Sequence, residues 1–420
     1  MMGIIDELEW RGAINQQTDA EGLRELTDLK KISLYCGIDP TGDSMHIGNL
    51  IPFMMLKRFQ LAGHRPVILV GGATGSIGDP SGRSTERSLQ TMEQVQKNVE
   101  GLTAQMTRLF LTDGDNTVRM VNNYEWTENL SMLDFLRDYG KNFSINTMLA
   151  KDIVSSRLDS GISFTEFSYQ ILQSIDFLHL YRREGVQVQI GGSDQWGNIT
   201  SGLDLIRKKE GADAKVFGLT IPLMLKADGT KFGKTAGGAI WLDPQKTTPY
   251  EFYHFWANTD DRDVVKYLKY FTFLDQEQIQ ALAEKVENEP HKREAQKALA
   301  EEVTRFVHGE ELLAQAKRIS VALFSGDIRS LTAEEIEEGF KEMPTFIASK
   351  ETKNIVDWLV ELGIVQSKRQ VREDISKGAI SINGEKVTSI DLNISSADAI
   401  GGRFVIIRKG RKNYSLVKLV

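Results

Sequence analysis

The sequence predicts an α/β protein: a doubly wound parallel sheet, then a helical region, then a small α+β module at the C-terminus. Three observations carry this expectation. Up to about residue 245, short apolar runs of strand character alternate with amphipathic helical stretches, the pattern of a parallel sheet with helices on both faces. From Tyr250 to Phe324 the apolar residues recur at helical spacing. Beyond about Asn354 short strand-like runs and turn signals return, with basic residues accumulating toward the end.

In chain order, Lys31-Ile32-Ser33-Leu34-Tyr35-Cys36-Gly37 reads as a buried strand ending in glycine. After a turn from Asp39 to Gly42, Ser44 is placed to cap a helix that runs toward Leu61 and stops at Gly63. Residues 66–70 and 186–191 are strand-like, and 220–225 reads as a strand entering a turn at Asp228-Gly229. Ser163-Phe164-Thr165-Glu166 has capping-box spacing. The helix it opens carries Tyr169, Gln173 and Asp176 as one polar stripe, while Ile171, Leu172, Ile175 and Leu178 cover other faces. Such a stripe faces either solvent or a ligand.

In the helical region, Val265, Tyr267, Leu268 and Phe271 give one apolar face and Leu299, Val303, Phe306 and Val307 another; Asp275 and Pro290 punctuate. Ser325-Gly326-Asp327 marks a boundary, and an acidic helical stretch follows over 333–341. Ser367 caps a basic helix through Ile375, and 378–385 reads as a hairpin turning at Asn383-Gly384. The expected domains are 1–245, 246–325 and 326–420.

The 420 residues are 41% hydrophobic and 26% charged, enough for a sizeable core over two or three domains. The single cysteine, Cys36, excludes a disulfide framework and a cysteine metal site, and the histidines show no ligand spacing, so no metal site is expected. No apolar run is long enough to span a membrane, and the early Asp6, Glu7 and Glu9 are unlike a secretory signal, so a cytoplasmic protein is expected. A net charge of −7 argues against non-specific RNA binding but leaves room for a local basic patch.

Two motifs carry chemistry. The first is Asp39-Pro40-Thr41-Gly42-Asp43-Ser44-Met45-His46-Ile47-Gly48-Asn49. It places His46 and Asn49 on one face of a helix N-terminus, whose free N–H groups and dipole favour phosphate. The same residues also fit an ordinary capped helix with a surface histidine. The second is Lys231-Phe232-Gly233-Lys234-Thr235, in which two ammonium groups on a loop suit a polyphosphate. It is not a P-loop: Gly229 to Gly233 leaves three intervening residues where four are needed, and Ala236-Gly237-Gly238 is a poor helix start.

With both motifs present, the chain resembles the class I aminoacyl-tRNA synthetases, which carry a His-Ile-Gly-His segment and a Lys-Met-Ser-Lys-Ser loop on either side of one ATP site. Within that family it is most similar to the bacterial tyrosyl branch, over essentially its whole length. Supporting stretches are Leu34-Tyr35-Cys36-Gly37, Gly71-Gly72-Ala73-Thr74-Gly75 running to Gly78-Asp79-Pro80-Ser81-Gly82, and Gly191-Gly192-Ser193-Asp194-Gln195-Trp196-Gly197-Asn198. Asn49 departs from the pattern, standing where the family has histidine; an amide still donates a hydrogen bond but cannot become cationic.

The resemblance implies a Rossmann-like catalytic domain with a dimer-forming insertion around 115–160, and hence a homodimer. It implies that Tyr35 and Asp176 bond a substrate phenol and that Asp79, Tyr169 and Gln173 hold its α-ammonium. Gly37, Asp39, Gly48, Gly192, Asp194 and Gln195, with Lys234, would cradle an adenylate. His46, Asn49, Lys231, Lys234 and Thr235, with Thr41 nearby, would act on the phosphates of ATP, which brings its own Mg²⁺. Arg83 and Arg87 would close over pyrophosphate. The end of the chain resembles a small RNA-binding module named for a ribosomal protein, over about 354–420. Lys368, Arg369, Arg372, Arg408, Lys409, Arg411 and Lys412 are its candidate tRNA phosphate contacts. Lys151, Arg207 and Lys208 are candidates for guiding the acceptor stem. The reading is thus a tyrosine–tRNA ligase acting on L-tyrosine, ATP and tRNA(Tyr). The alternative is a catalytically weakened, synthetase-like RNA-binding protein, for which Asn49 speaks.

Overall fold

The structure is a computed structural model; it describes every residue except 1, 83, 84, 87, 231, 236, 237, 342, 411 and 412, and only the backbone at 234 and 235. The helices are α1 (Ile4–Trp10), α2 (Ala20–Leu29), α3 (Ile47–Leu61), α4 (Met92–Leu109), α5 (Tyr124–Thr127), α6 (Met132–Asp134), α7 (Ile145–Leu149), α8 (Asp152–Ser155), α9 (Phe164–Glu184), α10 (Trp196–Glu210), α11 (Pro249–Ala257), α12 (Asp261–Phe271), α13 (Gln276–Asn288), α14 (Glu294–Ser325), α15 (Ala333–Gly339), α16 (Ile355–Glu361) and α17 (Lys368–Ser376). None of the described helices is long and apolar enough to cross a membrane. The chain forms two compact units, 1–246 with 259–299, and 247–258 with 300–420. The helices of 246–325 divide between these units: α12 and α13 belong to the first, and α11 with most of α14 to the second.

The first unit is built on strands β1 (Gln16–Gln17), β2 (Ser33–Ile38), β3 (Arg65–Val70), β4 (Arg119–Asn122), β5 (Val186–Gly192) and β6 (Phe217–Ile221), in the order β1-β6-β5-β2-β3-β4. All pairings are parallel except β1 with β6. The chain steps outward from β2 to β4, returns to β5 on the other side of β2, and steps outward again to β6. Right-handed crossovers then put α3 and α4 on one face and α9 and α10 on the other. The order reverses between β2 and β5, and ligands of such sheets bind at the carboxyl ends of strands at that switch point. Strand β6 ends at Ile221, so Pro222 to Leu225, read from sequence as strand, leave the sheet.

Two buried guanidinium groups tie α12 into this unit. Arg11 donates to the carbonyls of Lys269 (2.9 Å) and Leu274 (2.8 Å), and Arg58 on α3 donates to those of Lys269 (3.2 Å), Tyr270 (3.4 Å) and Thr272. They satisfy carbonyls that a helix C-terminus leaves without partners. Burial lowers the Arg58 pKa to about 9, with Arg11 adding repulsion and Glu7 opposing it.

The second unit carries β9 (Thr345–Ala348), β10 (Lys353–Asn354), β11 (Ile380–Ile382), β12 (Glu385–Lys386), β13 (Asn393–Ile394), β14 (Phe404–Lys409) and β15 (Asn413–Leu419). Five of these form a sheet ordered β12-β11-β14-β15-β9. The hairpin turn lies where expected, with Asn383 at φ 47° and Gly384 at φ 90°, the pair of left-handed residues that a two-residue hairpin needs. Gly384 is also irreplaceable on steric grounds, because an added Cβ would lie 2.0 Å from the Gly326 carbonyl oxygen. Ser367 caps α17 as expected, accepting from Gln370 N–H.

Candidate active site

A cavity of about 320 Å³ opens at the β2/β5 switch point, lined by the carboxyl ends of both strands, the start of α3, the inner face of α9 and the turn Ser193–Gln195. Its two ends are built differently.

At the deep end, Tyr35 on β2 and Asp176 on α9 face each other's side of the cavity and both are almost fully buried. Asp176 accepts from Asn123 Nδ2 and Trp126 Nε1, each at 2.9 Å, so neither oxygen is left bare. Trp126 is itself stacked on His179, with ring centroids 4.2 Å apart. Burial nevertheless pushes the Asp176 carboxyl up to about 7; the two donors pull it down and Asp39 adds to the rise. The Tyr35 hydroxyl has no hydrogen-bond partner among the described residues, and burial beside Asp176 raises its pKa well above normal. A buried hydroxyl next to a buried carboxylate is costly unless something bonds both. A phenol does this, donating to one and accepting from the other.

Along α9 toward the mouth, Tyr169 donates to Asp39 Oδ2 (2.9 Å), which leaves its oxygen able to accept. Gln173 donates to Gln195 Oε1 (3.3 Å), and its own buried Oε1 has no partner among the described residues. Asp79 accepts from Gln195 Nε2 (2.7 Å) and Ser81 N–H (2.9 Å). Three acceptors thus line one stretch of the wall, the arrangement an ammonium group requires. The capping box expected at Ser163 is half made. Ser163 accepts from Glu166 N–H, but the Glu166 carboxylate turns inward to a buried ion pair with Arg157 (2.9 and 3.0 Å).

At the mouth, the N-cap of α3 is His46, not Ser44, whose hydroxyl is buried against Gln105 and the Met45 carbonyl. His46 Nδ1 accepts from Gly48 N–H (3.1 Å), which puts the proton of the neutral ring on Nε2. Asn49 Oδ1 accepts from His46 N–H (3.3 Å), completing a reciprocal cap and turning its NH₂ outward as a donor. The expectation of free N–H groups here is corrected. The amides of Ile47, Gly48 and Asn49 bond Ile240 O, His46 Nδ1 and His46 O. Gly48 also makes room for the capping ring, since a Cβ there would lie 2.9 Å from His46 Cε1.

The two motifs meet. Ile47 N–H bonds Ile240 O and Leu242 N–H bonds Met45 O (2.9 Å each), so 45–47 and 240–242 form a short antiparallel bridge. Trp241 packs edge-on to His46 (6.0 Å) and carries Lys246 over its other contact (5.0 Å). The loop passes through β7 (Lys234–Thr235) and β8 (Gly238–Ala239), and a Cβ on Gly233 would stand 3.3 Å from Gly48 N. Arg83, Arg87, Lys231, Arg411 and Lys412 lie outside the described residues, as do the side chains of Lys234 and Thr235. Gly37, Asp39, Thr41, Gly48, Gly192, Asp194 and Gln195 all line the cavity. Asp39 accepts from Thr74 (2.8 Å) and Tyr169, so its work in the protein is to orient those groups.

Lys151 departs from expectation. Its ammonium is half-buried and held by Gly197 O (3.0 Å) and Thr200 Oγ1 (2.8 Å), because that pocket offers two acceptors at lysine's reach, so it is not an exposed phosphate contact. Lys208 is exposed but donates to Asn142 O; Arg207 is exposed. In the second unit Arg369 and Arg372 are exposed on α17, Lys368 pairs with Asp357 (2.7 Å), Lys409 with Asp374 (3.3 Å), and Arg408 lies against Ser381 (3.3 Å). Sequence reasoning missed Thr74, Asn123, Trp126, Gln189 and Trp241. Asn123 was findable as the polar residue just past the end of a short strand, where sites of this sheet type form. It links Asp176 to Thr74 Oγ1 (3.0 Å) and hence to Asp39 and Tyr169.

Known proteins resemble the chain along its length. The family model for class I tRNA synthetases (W and Y) matches residues 27–325, and that for the tyrosine–tRNA ligase SYY-like C-terminal domain matches 335–417. The chain is 75% identical to tyrosine–tRNA ligase 2 of Bacillus cereus over 418 residues, and 70% identical to tyrosine–tRNA ligase 1 of Enterococcus faecalis over 419, covering 100% of each chain in both cases. A C-terminally truncated mitochondrial tyrosyl-tRNA synthetase of Aspergillus nidulans is similar in structure, with a TM-score of 0.69 and 32% identity, over 77% of this chain and 95% of that one. The chain belongs to the class I tRNA synthetases of the tryptophan and tyrosine group, in its tyrosine–tRNA ligase branch.

Proposed function

We infer that this chain, as a tyrosine–tRNA ligase, uses the cavity to join L-tyrosine to ATP and then passes tyrosine to the terminal adenosine of tRNA(Tyr). The observation that carries the substrate reading is the pair at the deep end, a buried Tyr35 hydroxyl without a partner among the described residues, beside a buried Asp176. The phenol would donate to Asp176 and accept from Tyr35, and the α-ammonium would sit among Asp79, Tyr169 and Gln173. Phenylalanine would leave the Tyr35 hydroxyl buried and unpaired, at a cost of about 1–3 kcal/mol, and would withhold from Asp176 the further donor that a phenol brings. Sites built to bond a hydroxyl reject the analogue lacking it far better than apolar pockets do, and tyrosine-activating enzymes are the known example.

The tyrosine carboxylate attacks the α-phosphorus of ATP; the bond to the bridging oxygen breaks, and pyrophosphate leaves with that electron pair. The carboxylate is already ionised, so no general base is needed, and the protein contributes position and charge. His46 Nε2–H and the Asn49 NH₂ would donate to the phosphates, with Lys231, Lys234 and Thr235 from the loop and Arg83 and Arg87 over pyrophosphate. Mg²⁺ enters with ATP as part of the substrate. Gly37 and Gly192 would let the adenylate approach the backbone, beside Asp194, whose carboxyl is raised by burial. In the second step a ribose hydroxyl of tRNA attacks the acyl carbon and AMP leaves.

We assign tRNA contact to Arg207, Lys208, Lys368, Arg369 and Arg372, and to the basic tail from Arg408 to Lys412. We also propose a homodimer formed through the face that exposes Met132, Leu133, Leu136, Ile145 and Phe164, all of them open to solvent in the single chain. The place of action is the cytoplasm. Tyrosine-dependent exchange of labelled pyrophosphate into ATP tests the first step without tRNA. Exchange with tyrosine and not phenylalanine is expected, and Tyr35→Phe or Asp176→Asn should narrow that gap. An unchanged ratio would sink the pocket assignment, and a folded chain without exchange would favour the RNA-binding alternative.

A further inference from the structure

We propose that Phe232 is the positioning residue of the catalytic loop. Its ring docks in an aromatic cup on α12 and thereby sets the loop backbone against the start of α3. The inference rests on the tyrosine-activation reading. Phe232 is the sole large apolar side chain between Thr230 and Gly238, in a stretch otherwise made of lysine, threonine, alanine and glycine. It is buried, with its ring centroid 5.0 Å from Tyr267 and 5.2 Å from Phe271, the first tilted edge-on and the second stacked. It does not line the substrate cavity, so it has no part in recognising tyrosine. The next residue, Gly233, adopts φ 85° and passes so close to Gly48 that a Cβ would stand 3.3 Å from the Gly48 nitrogen.

The cup is anchored to the same helix that opens the phosphate site. Arg58 lies on α3 and, with Arg11, grips the last carbonyls of α12. α3 is therefore coupled to the loop twice: at its N-terminus through Gly48 and the 45–47/240–242 bridge, and further along through Arg58, α12 and Phe232. An aromatic ring between lysines has nothing to offer a phosphate. Its burial gives the loop a fixed point from which short polar residues could not otherwise be held, and position is what phosphoryl chemistry needs.

The test uses the full chain and single-turnover formation of tyrosyl-adenylate, alongside equilibrium tyrosine binding and thermal melting. Phe232→Ala should slow adenylate formation by about tenfold or more, because small misplacements of reacting groups carry large rate costs. Tyrosine affinity should stay within about twofold, since binding energy outside the reacting centre is untouched. Phe232→Leu should restore most of the rate. Combined with Tyr267→Leu, Phe232→Ala should cost less than the product of the two single losses, as contacting residues do. A readout independent of activity is tryptic cleavage within 231–234, which Phe232→Ala should accelerate. A near-normal rate, equal losses in rate and tyrosine affinity, Leu no better than Ala, fully multiplicative effects, or unchanged cleavage would each overturn the proposal. Silence of the unsubstituted chain in the adenylate assay would instead overturn the functional reading on which it rests.

Discussion

At the deep end of the cavity the carboxylate that meets the substrate is held by other side chains, whereas at its mouth the holding is done by backbone. Asp176 is oriented by Asn123 and Trp126 and Tyr169 by Asp39, along a chain of hydrogen bonds through Thr74, and Asp79 is held separately by Gln195. His46 and Asn49 are set by a helix cap, a glycine and a two-strand bridge. The contrast follows from the tasks. Selecting a hydroxyl needs buried groups that cannot relax when the wrong substrate binds, and interlocked side chains supply that stiffness. Stabilising phosphates needs donors that can follow a changing charge distribution, and short side chains on a helix end supply those. If this is right, the two ends should fail independently.

The largest effect should come from the support of α9, which carries the deep end. Arg157 and Glu166 are each only 3% exposed at the side chain. Arg157→Met strands a buried carboxylate and should cost about 3–5 kcal/mol of stability, with Arg157→Met/Glu166→Leu recovering most of it. Urea unfolding of both variants measures this; a loss below about 1 kcal/mol, the scale of a surface pair, would show that α9 is held by something else.

Next is the mouth. Gly48→Ala drives the His46 ring from its cap, and adenylate formation should fall by about 10²-fold while tyrosine affinity holds. Stopped-flow and equilibrium binding together would break the comparison if both fell alike. A smaller effect should follow pH. Asp176 in the free protein titrates near 7, above the unfolded carboxyl, so its ionisation weakens the fold as pH rises through that value. A phenol that donates to the ionised form pulls the pKa down, so tyrosine binding should release a proton and weaken by up to about tenfold per pH unit below 7. Asp39 faces the same cavity and adds to the Asp176 rise, while burial keeps the Tyr35 and Tyr169 hydroxyls protonated across this range. Calorimetry at several pH values tests this, with Asp176→Asn flattening the profile; a flat profile in the unsubstituted chain would refute it. The smallest effect should be Asn49→Ala, which removes half of a reciprocal cap and should lower stability by about 0.5–1 kcal/mol. A change in tyrosine affinity in that variant would tie together ends that the geometry separates.

Much of this was legible from residues alone because local chemistry fixed it. The alternation of apolar runs placed β2, β3 and β5, and Asn383-Gly384 placed a hairpin that no other turn would fit. The spacing of Tyr169, Gln173 and Asp176 put them on one face of α9, since a helix repeats every 3.6 residues whatever surrounds it. What the spacing left open was which face looked inward. Only tertiary packing decided that, because α9 turns its polar stripe into the cavity rather than toward open water. Packing also decided that His46 rather than Ser44 caps α3, as Gln105 on α4 claims the Ser44 hydroxyl from 61 residues away. It decided too that the helices from 249 to 325 divide between two units, because their apolar faces specify burial but not against what. Sequence determined the elements, their faces and the family's chemistry, all set by interactions within a few residues. Tertiary structure alone determined which polar groups found partners, because a hydrogen bond between Asn123 and Asp176 depends on where two distant strands and helices come to rest.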